Sequence, residues 1–147
     1  MAEVSTPVER LQVAARLRLA VTRLNRRLRA EGDIGLSPSA TAALSSIGRH
    51  GPLSLGELAS TEGVKPPTIT ATVAALEAEG LVARELDVRD RRITRVTLTP
   101  RGRQRLERSK RRKTAYLASR LERLDEHQLE ELDRSLALIE LLLERQA

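Results

Sequence analysis

The 147-residue sequence has no cysteine, no tryptophan and no phenylalanine, and only one tyrosine, one methionine and two histidines. Each absence excludes something. Without thiols there is no disulfide framework, no thiolate metal site, and no cysteine nucleophile or redox sensor. His50 and His127 leave too little for a histidine metal site or a serine–histidine–aspartate triad. His127 stands beside Asp125 and Glu126, but at a helix start those acids read more simply as cap and dipole residues. With Tyr116 the sole aromatic, no platform exists for stacking single-stranded bases, which disfavours RNA-recognition and OB-type readers. No apolar run approaches the roughly 20 residues of a membrane span. The opening residues MAEVSTPVERLQ lack the basic-then-apolar plan of a signal peptide. The expectation is a soluble cytoplasmic protein that is not an enzyme, with no cofactor, no metal and no membrane partner.

What is present is charge of one chemical kind. Lys+Arg number 26 against 20 Asp+Glu, a formal net charge of +6, and only Lys65, Lys110 and Lys113 of those 26 are lysines. Arginine binds phosphates and guanine edges bidentately, as a nucleic-acid ligand requires. Codon usage in a GC-rich genome accounts for the same bias. Duplex DNA read by a helix needs no aromatic platform.

Helix starts are legible along the chain. Thr6-Pro7 places a capping hydroxyl before a proline at the first helical position. From there Leu11, Ala14, Leu17, Val21, Leu24 and Leu28 form one apolar stripe, and the helix should run to about Ala30 and stop near Gly32. Ser37-Pro38 opens a second helix carrying Ala40, Ala43, Leu44 and Ile47, closed by Gly48 and Gly51-Pro52. Ser54 with Glu57 has capping-box spacing and starts a short third helix ending near Glu62-Gly63. After the turn Val64-Lys65-Pro66-Pro67, a fourth helix points Ile69, Val73 and Leu76 inward and stops at a left-handed Gly80.

Two period-two segments follow, 81–86 and 95–99, joined by the polar tip 87–92, which reads as a hairpin. Thr99-Pro100 caps a long fifth helix through Tyr116, Leu117, Leu121 and Leu124. Asp125 with Gln128 opens a sixth, whose Leu129, Leu132, Leu136, Ile139 and Leu143 make a heptad seam. The fold class is therefore mostly α with a small β-hairpin wing, a winged helix-turn-helix flanked by terminal helices. The divisions expected are 1–35 for an N-terminal dimerisation helix, 36–100 for the DNA-binding lobe and 101–147 for C-terminal dimerisation helices, intertwined as one domain.

Three constellations carry function. On the fourth helix Lys65, Pro67, Thr68, Ala71 and Thr72 fall opposite the inward residues, with Thr70 among them. Small hydroxyl residues near a helix N-terminus can approach phosphates and base edges, helped by the helix dipole; they also serve as ordinary caps and solvated surface. On the hairpin tip Arg89, Arg91, Arg92 and Arg95 lie within seven residues, interleaved with Asp87 and Asp90. An acid beside an arginine can hold its guanidinium in one orientation, and a narrow arginine tip suits the minor groove. A solvated turn with incidental ion pairs has the same composition. The terminal helices carry more apolar stripe than a lobe of about 70 residues needs to cover itself. A symmetric dimer would bury them, and so would an intramolecular three-helix bundle.

These segments resemble the MarR family of winged helix-turn-helix regulators over nearly the whole chain. The resemblance rests on Leu36-Ser37-Pro38, on Pro67-Thr68-Ile69-Thr70, on the run from Leu76 to Val82, on Asp90-Arg91-Arg92 and on Leu98-Thr99-Pro100-Arg101-Gly102. It implies a triangular homodimer with interlocked N- and C-terminal helices that binds a pseudo-palindromic operator in double-stranded DNA. It places the family's wing arginine on Arg92 and the supporting acid on Asp90. It also implies a small-molecule effector site between the first, second and fifth helices; His50 and nearby arginines could face an anion, although His50 beside Gly51-Pro52 reads more simply as ordinary turn surface. Two positions depart from the family: Lys65 stands where many members carry Ser or Thr, and Ala71 where many carry arginine. The reading is a sequence-specific regulator, a repressor that a small ligand can relieve. Its rival is a sequence-tolerant architectural DNA-binding protein, which Ala71 and the arginine excess favour.

Overall fold

A computed structural model describes residues 6–144. Among them the elements run α1 (Pro7–Glu31), α2 (Pro38–His50), β1 (Leu53–Ser54), α3 (Leu55–Glu62), α4 (Pro66–Ala78), β2 (Val82–Leu86), β3 (Thr94–Leu98), α5 (Pro100–Leu121) and α6 (Glu126–Leu143). The start signals act locally. Thr6, Ser54 and Asp125 each accept from the backbone N–H three residues on, whose side chain accepts in return, while Ser37 and Thr99 cap α2 and α5 ahead of Pro38 and Pro100. The mostly helical chain with a three-stranded antiparallel sheet is the winged helix-turn-helix fold expected from the sequence.

The sheet order is β1-β3-β2, with Val82 opposite Leu98 and Leu86 opposite Thr94. β1 is an addition to the sequence reading. Its two residues, Leu53 and Ser54, pair with Val96 and Arg95 of β3, and two residues are too few to show a period of their own. α5 is shorter than expected: it ends at Leu121, and Leu124 lies half-buried in the turn before α6. No described helix is long and apolar enough to cross a membrane.

The core lies within the lobe between α2 and β3. Leu44 and Ile47 of α2, Leu58 of α3, Ile69, Val73 and Leu76 of α4, Leu81 just before β2 and Val96 in β3 are all fully buried. Leu106 closes this core from α5. The terminal helices are different: neither α1 nor α6 has a buried residue. α1 packs along α5, yet Leu11 is 71% exposed, and along α6 Leu129, Leu132, Leu136 and Leu143 are exposed. Leu138, Leu141 and Leu142 add a second exposed apolar edge to α6 outside the heptad seam.

The lobe is locked at one junction. Gly80 takes φ +69°, ends α4 and turns the chain into β2. Thr99 donates its hydroxyl proton to the Gly80 carbonyl at 2.6 Å and its N–H to the Leu81 carbonyl at 3.1 Å, and its hydroxyl oxygen caps Gly102. α5 then crosses so close to Leu81 that a Cβ at Gly102 would lie 2.0 Å from the Leu81 carbonyl oxygen. In an ordinary helix, Gly→Ala stabilises. Here Gly102→Ala is expected to destabilise by about 1–3 kcal/mol, because backbone must move. Urea denaturation checks it, and an unchanged or raised midpoint would contradict the close crossing.

Candidate nucleic-acid interface

α4 presents an outer surface of Pro67, Thr68, Thr70 and Ala71, all exposed, with Lys65 at its N-cap. Thr72, expected on the same face, is half-buried on the flank beside the core stripe of Ile69, Val73 and Leu76. A period of 3.6 places it one step from Ile69 and Leu76 rather than opposite them. The helix start offers little backbone donor capacity. Pro66 and Pro67 have no N–H, and the N–H groups of Thr68 and Ile69 both donate to the Lys65 carbonyl, at 3.0 and 3.2 Å. The first turn therefore has no spare N–H for a phosphate, and only the dipole remains.

The hydroxyls are committed as well. Thr70 donates to the Pro66 carbonyl at 2.9 Å and Thr72 to the Thr68 carbonyl at 3.0 Å, so their oxygens can only accept. Such an acceptor suits the amino group of cytosine or adenine and not a phosphate. The donors left at this end of α4 are the Lys65 ammonium, which makes no cap bond, and the Thr68 hydroxyl.

The hairpin tip, residues 87–93, is built around two carboxylates. Asp87 accepts from the N–H groups of Arg89 and Asp90 at 2.7 and 2.9 Å through Oδ1, and from Arg95 Nε through Oδ2. Arg95 also donates from Nη1 to Glu57 Oε2 at 3.1 Å, fastening the wing to the capping box of α3. Further out, Asp90 Oδ1 accepts from the Arg92 N–H and Nε at 3.0 and 3.1 Å, and Oδ2 accepts from Nη2 at 3.1 Å. This fork fixes a guanidinium whose side chain is 91% exposed. Arg89 and Arg91 are exposed and form no ion pair among the described residues.

A MarR family model matches residues 36–94, the span of this lobe from the start of α2 to the first residue of β3. An HTH-type transcriptional regulator of Mycobacterium bovis is 32% identical over 134 residues, 88% of this chain and 94% of the relative. The chain belongs to the MarR family. The HTH-type transcriptional repressor MdtR of Bacillus subtilis is 35% identical over 68 residues, 46% of this chain and 44% of the relative. A solved putative transcriptional regulator from Pseudomonas aeruginosa superposes with a TM-score of 0.82 at 31% identity, covering 94% of this chain and 99% of the other. The protein is thus a DNA-binding helix-turn-helix transcriptional regulator and not an enzyme.

In this MarR-family chain, a cavity of 540 Å³ opens between α1, α2 and α5. Arg29, Arg49 and Lys113 bring positive charge to its wall, Asn25 and Asp33 are polar neighbours, and Leu36 is among its apolar lining. His50 is exposed and does not line it. Two features of the wing escaped the sequence reading. Arg95 is half-buried and serves as a strut rather than a fourth tip cation, because its partner Glu57 lies 38 residues away. Val88 is 98% exposed at the tip, an apolar side chain set between Asp87 and Arg89.

The tip has a definite acid response. Bonding to Arg95, then to the N–H groups of Asp90 and Arg89, holds the Asp87 carboxyl at about 2, below its ordinary 3.8. Asp90 is lowered by Arg92, and Glu57 by the Ser54 N–H and then by Arg95. A depressed carboxyl stabilises the fold above its unfolded value and loses that contribution as pH falls through the folded one. The melting-temperature difference between wild type and Asp87→Asn is therefore expected to be constant above about pH 5. It should shrink as pH falls from 3.8 towards 2. A difference that is flat over that range would show that Asp87 acts by shape and not by charge.

Proposed function

We propose that this regulator is a cytoplasmic homodimeric repressor that occludes a promoter by placing two α4 helices and two wings on one pseudo-palindromic operator. The observation that carries this reading is the Arg92 side chain, exposed on a narrow tip and held in one orientation by Asp90. Pre-orienting the guanidinium removes much of the entropy it would lose on binding, and the adjacent carboxylate disfavours a pure phosphate clamp. A minor groove, with its negative potential and accessible base edges, fits both properties. On α4, Lys65 and Thr68 take the donor role, Thr70 and Thr72 accept, and Pro67 and Ala71 supply close apolar contact. Arg89 and Arg91 hold the backbone on either side of the wing.

The dimer is supported by the uncovered stripes. α1 carries seven arginines against two glutamates, and α6 carries five acids against one arginine. Laying α6 of one copy on α1 of another would pair charge as well as apolar surface. Repression is supported by the function named for the Bacillus subtilis relative. The cavity supports an effector that is a small organic anion with an apolar body, drawn to Arg29, Arg49 and Lys113. With no Phe or Trp in the chain, its body would pack on aliphatic groups instead of aromatic rings.

A second reading has a specific observation behind it. Ala71 offers no hydrogen-bonding group, and the Thr70 and Thr72 protons are spent inside the helix. Such a helix discriminates bases weakly, as an architectural binder would. In both readings Arg92→Ala is expected to weaken DNA binding by about 1–3 kcal/mol. Its melting temperature should fall little, because Arg92 is exposed and bonds only to Asp90 of its own loop. Fluorescence anisotropy and thermal melts on the same preparation check both halves, and unchanged affinity would remove the wing from the interface.

A further inference from the structure

α5 grips three consecutive backbone carbonyls of the α1–α2 connection. Ser109 Oγ donates to Gly32 O at 2.8 Å, Arg112 Nη1 to Asp33 O at 2.7 Å, and Arg105 Nη1 to Ile34 O at 3.1 Å. Arg112 is exposed, but the other two contacts are enclosed. Ser109 is buried, the Arg105 side chain is 19% exposed, and a Cβ at Gly32 would lie 2.3 Å from Lys113 Cε and 2.8 Å from Ser109 Oγ. Gly32, Asp33 and Lys113 also line the cavity, so two of the three gripped residues belong to its wall and the third, Ile34, follows directly.

The grip extends to α4. Arg105 Nη1, the atom bonded to Ile34 O, also donates to Glu79 Oε2 at 3.2 Å, and Glu79 is the C-cap residue of α4. One half-turn earlier, Glu77 bonds Arg84 of β2 at 3.0 Å, which holds the same end of the helix to the wing. Arg105 is thus bonded both to Ile34, the residue after cavity-lining Asp33, and to the C-terminal end of α4. An anion that drew Arg29, Arg49 and Lys113 together would pull on Gly32 and Asp33, and through the adjoining Ile34 on Arg105 and Glu79.

We propose that Arg105 is the positioning residue through which occupancy of the cavity is read at α4. This rests on the reading of the cavity as an anion site. It requires that filling the cavity and moving Glu79 have a shared free energy, which is what allosteric coupling means and what a cycle of variants measures.

The absence of cysteine gives a direct test. Ser45 lines the cavity and its side chain forms no hydrogen bond among the described residues, so Ser45→Cys creates a single thiol there. Reaction with 2-sulfonatoethyl methanethiosulfonate tethers a sulfonate inside, a probe that needs no knowledge of the natural ligand. Affinity is measured on a duplex that the full-length protein has enriched from random sequence, with and without the label. Labelling is expected to weaken binding about 5-fold or more in Ser45→Cys, and less than about 2-fold when Arg105→Gln is added. Glu79→Gln, which leaves the Arg105 bond to Ile34 in place, should blunt the response equally and covers the case that Arg105→Gln folds poorly. Equal weakening in all three backgrounds would overturn the role of Arg105 while leaving the cavity reading intact. No effect of the label on Ser45→Cys itself would overturn both. DNA binding by the unlabelled proteins reports separately on the regulator reading.

Discussion

The backbone junction between residues 80–81 and 99–102 is the constraint on which the lobe depends. There α4 ends, the wing begins and ends, and α5 starts. Gly80 allows the turn, Thr99 bonds to both carbonyls across it, and Gly102 lets α5 lie directly on Leu81. The helix that faces outward with Pro67 and Ala71 and the hairpin that carries Arg92 therefore share one anchored base. Their relative position is fixed by backbone contacts, which are stiff, and not by surface ion pairs, which contribute little. Neither the wing nor α4 can shift alone without straining that crossing.

Around this base the charged residues divide into two kinds. Arg95, Arg84 and Arg105 are partly buried and each is bonded to a carboxylate on another element, Glu57 and Asp87, Glu77, and Glu79 respectively. They link neighbouring elements and are not available to a ligand. Arg89, Arg91 and Lys65 are exposed and without ion pairs among the described residues, and Arg92 is bonded only to its own loop. On α4 and the wing, these are the cations left to meet a polyanion. An excess of arginine in the composition means little until it is divided in this way.

Helix starts were legible because capping is local chemistry: Thr6-Pro7, Ser54 with Glu57, and Asp125 with Gln128 each decide their turn within four residues. The wing and the inward stripe of α4 were legible for the same reason, since alternation and 3.6-residue spacing are written in order along the chain. What escaped was non-local. β1 exists only because β3 lies beside Leu53 and Ser54, and the strut role of Arg95 depends on a glutamate in α3. The cavity needs three helices in place before it has walls, and nothing in the spacing of Arg29, Arg49 and Lys113 connects them. At the start of α4, Pro66-Pro67 removes two N–H groups, so the residues alone argue against a phosphate site on its backbone.

The central claim is that this chain reads a specific inverted repeat as a symmetric pair. The most direct measurement is selection of duplexes by the purified protein from a random library at about physiological salt, where phosphate-only binding is suppressed. The account predicts enrichment of one inverted repeat whose half-site centres lie about one helical turn apart. Binding without an enriched sequence would contradict it and leave a DNA-binding protein that holds the backbone but does not choose its site.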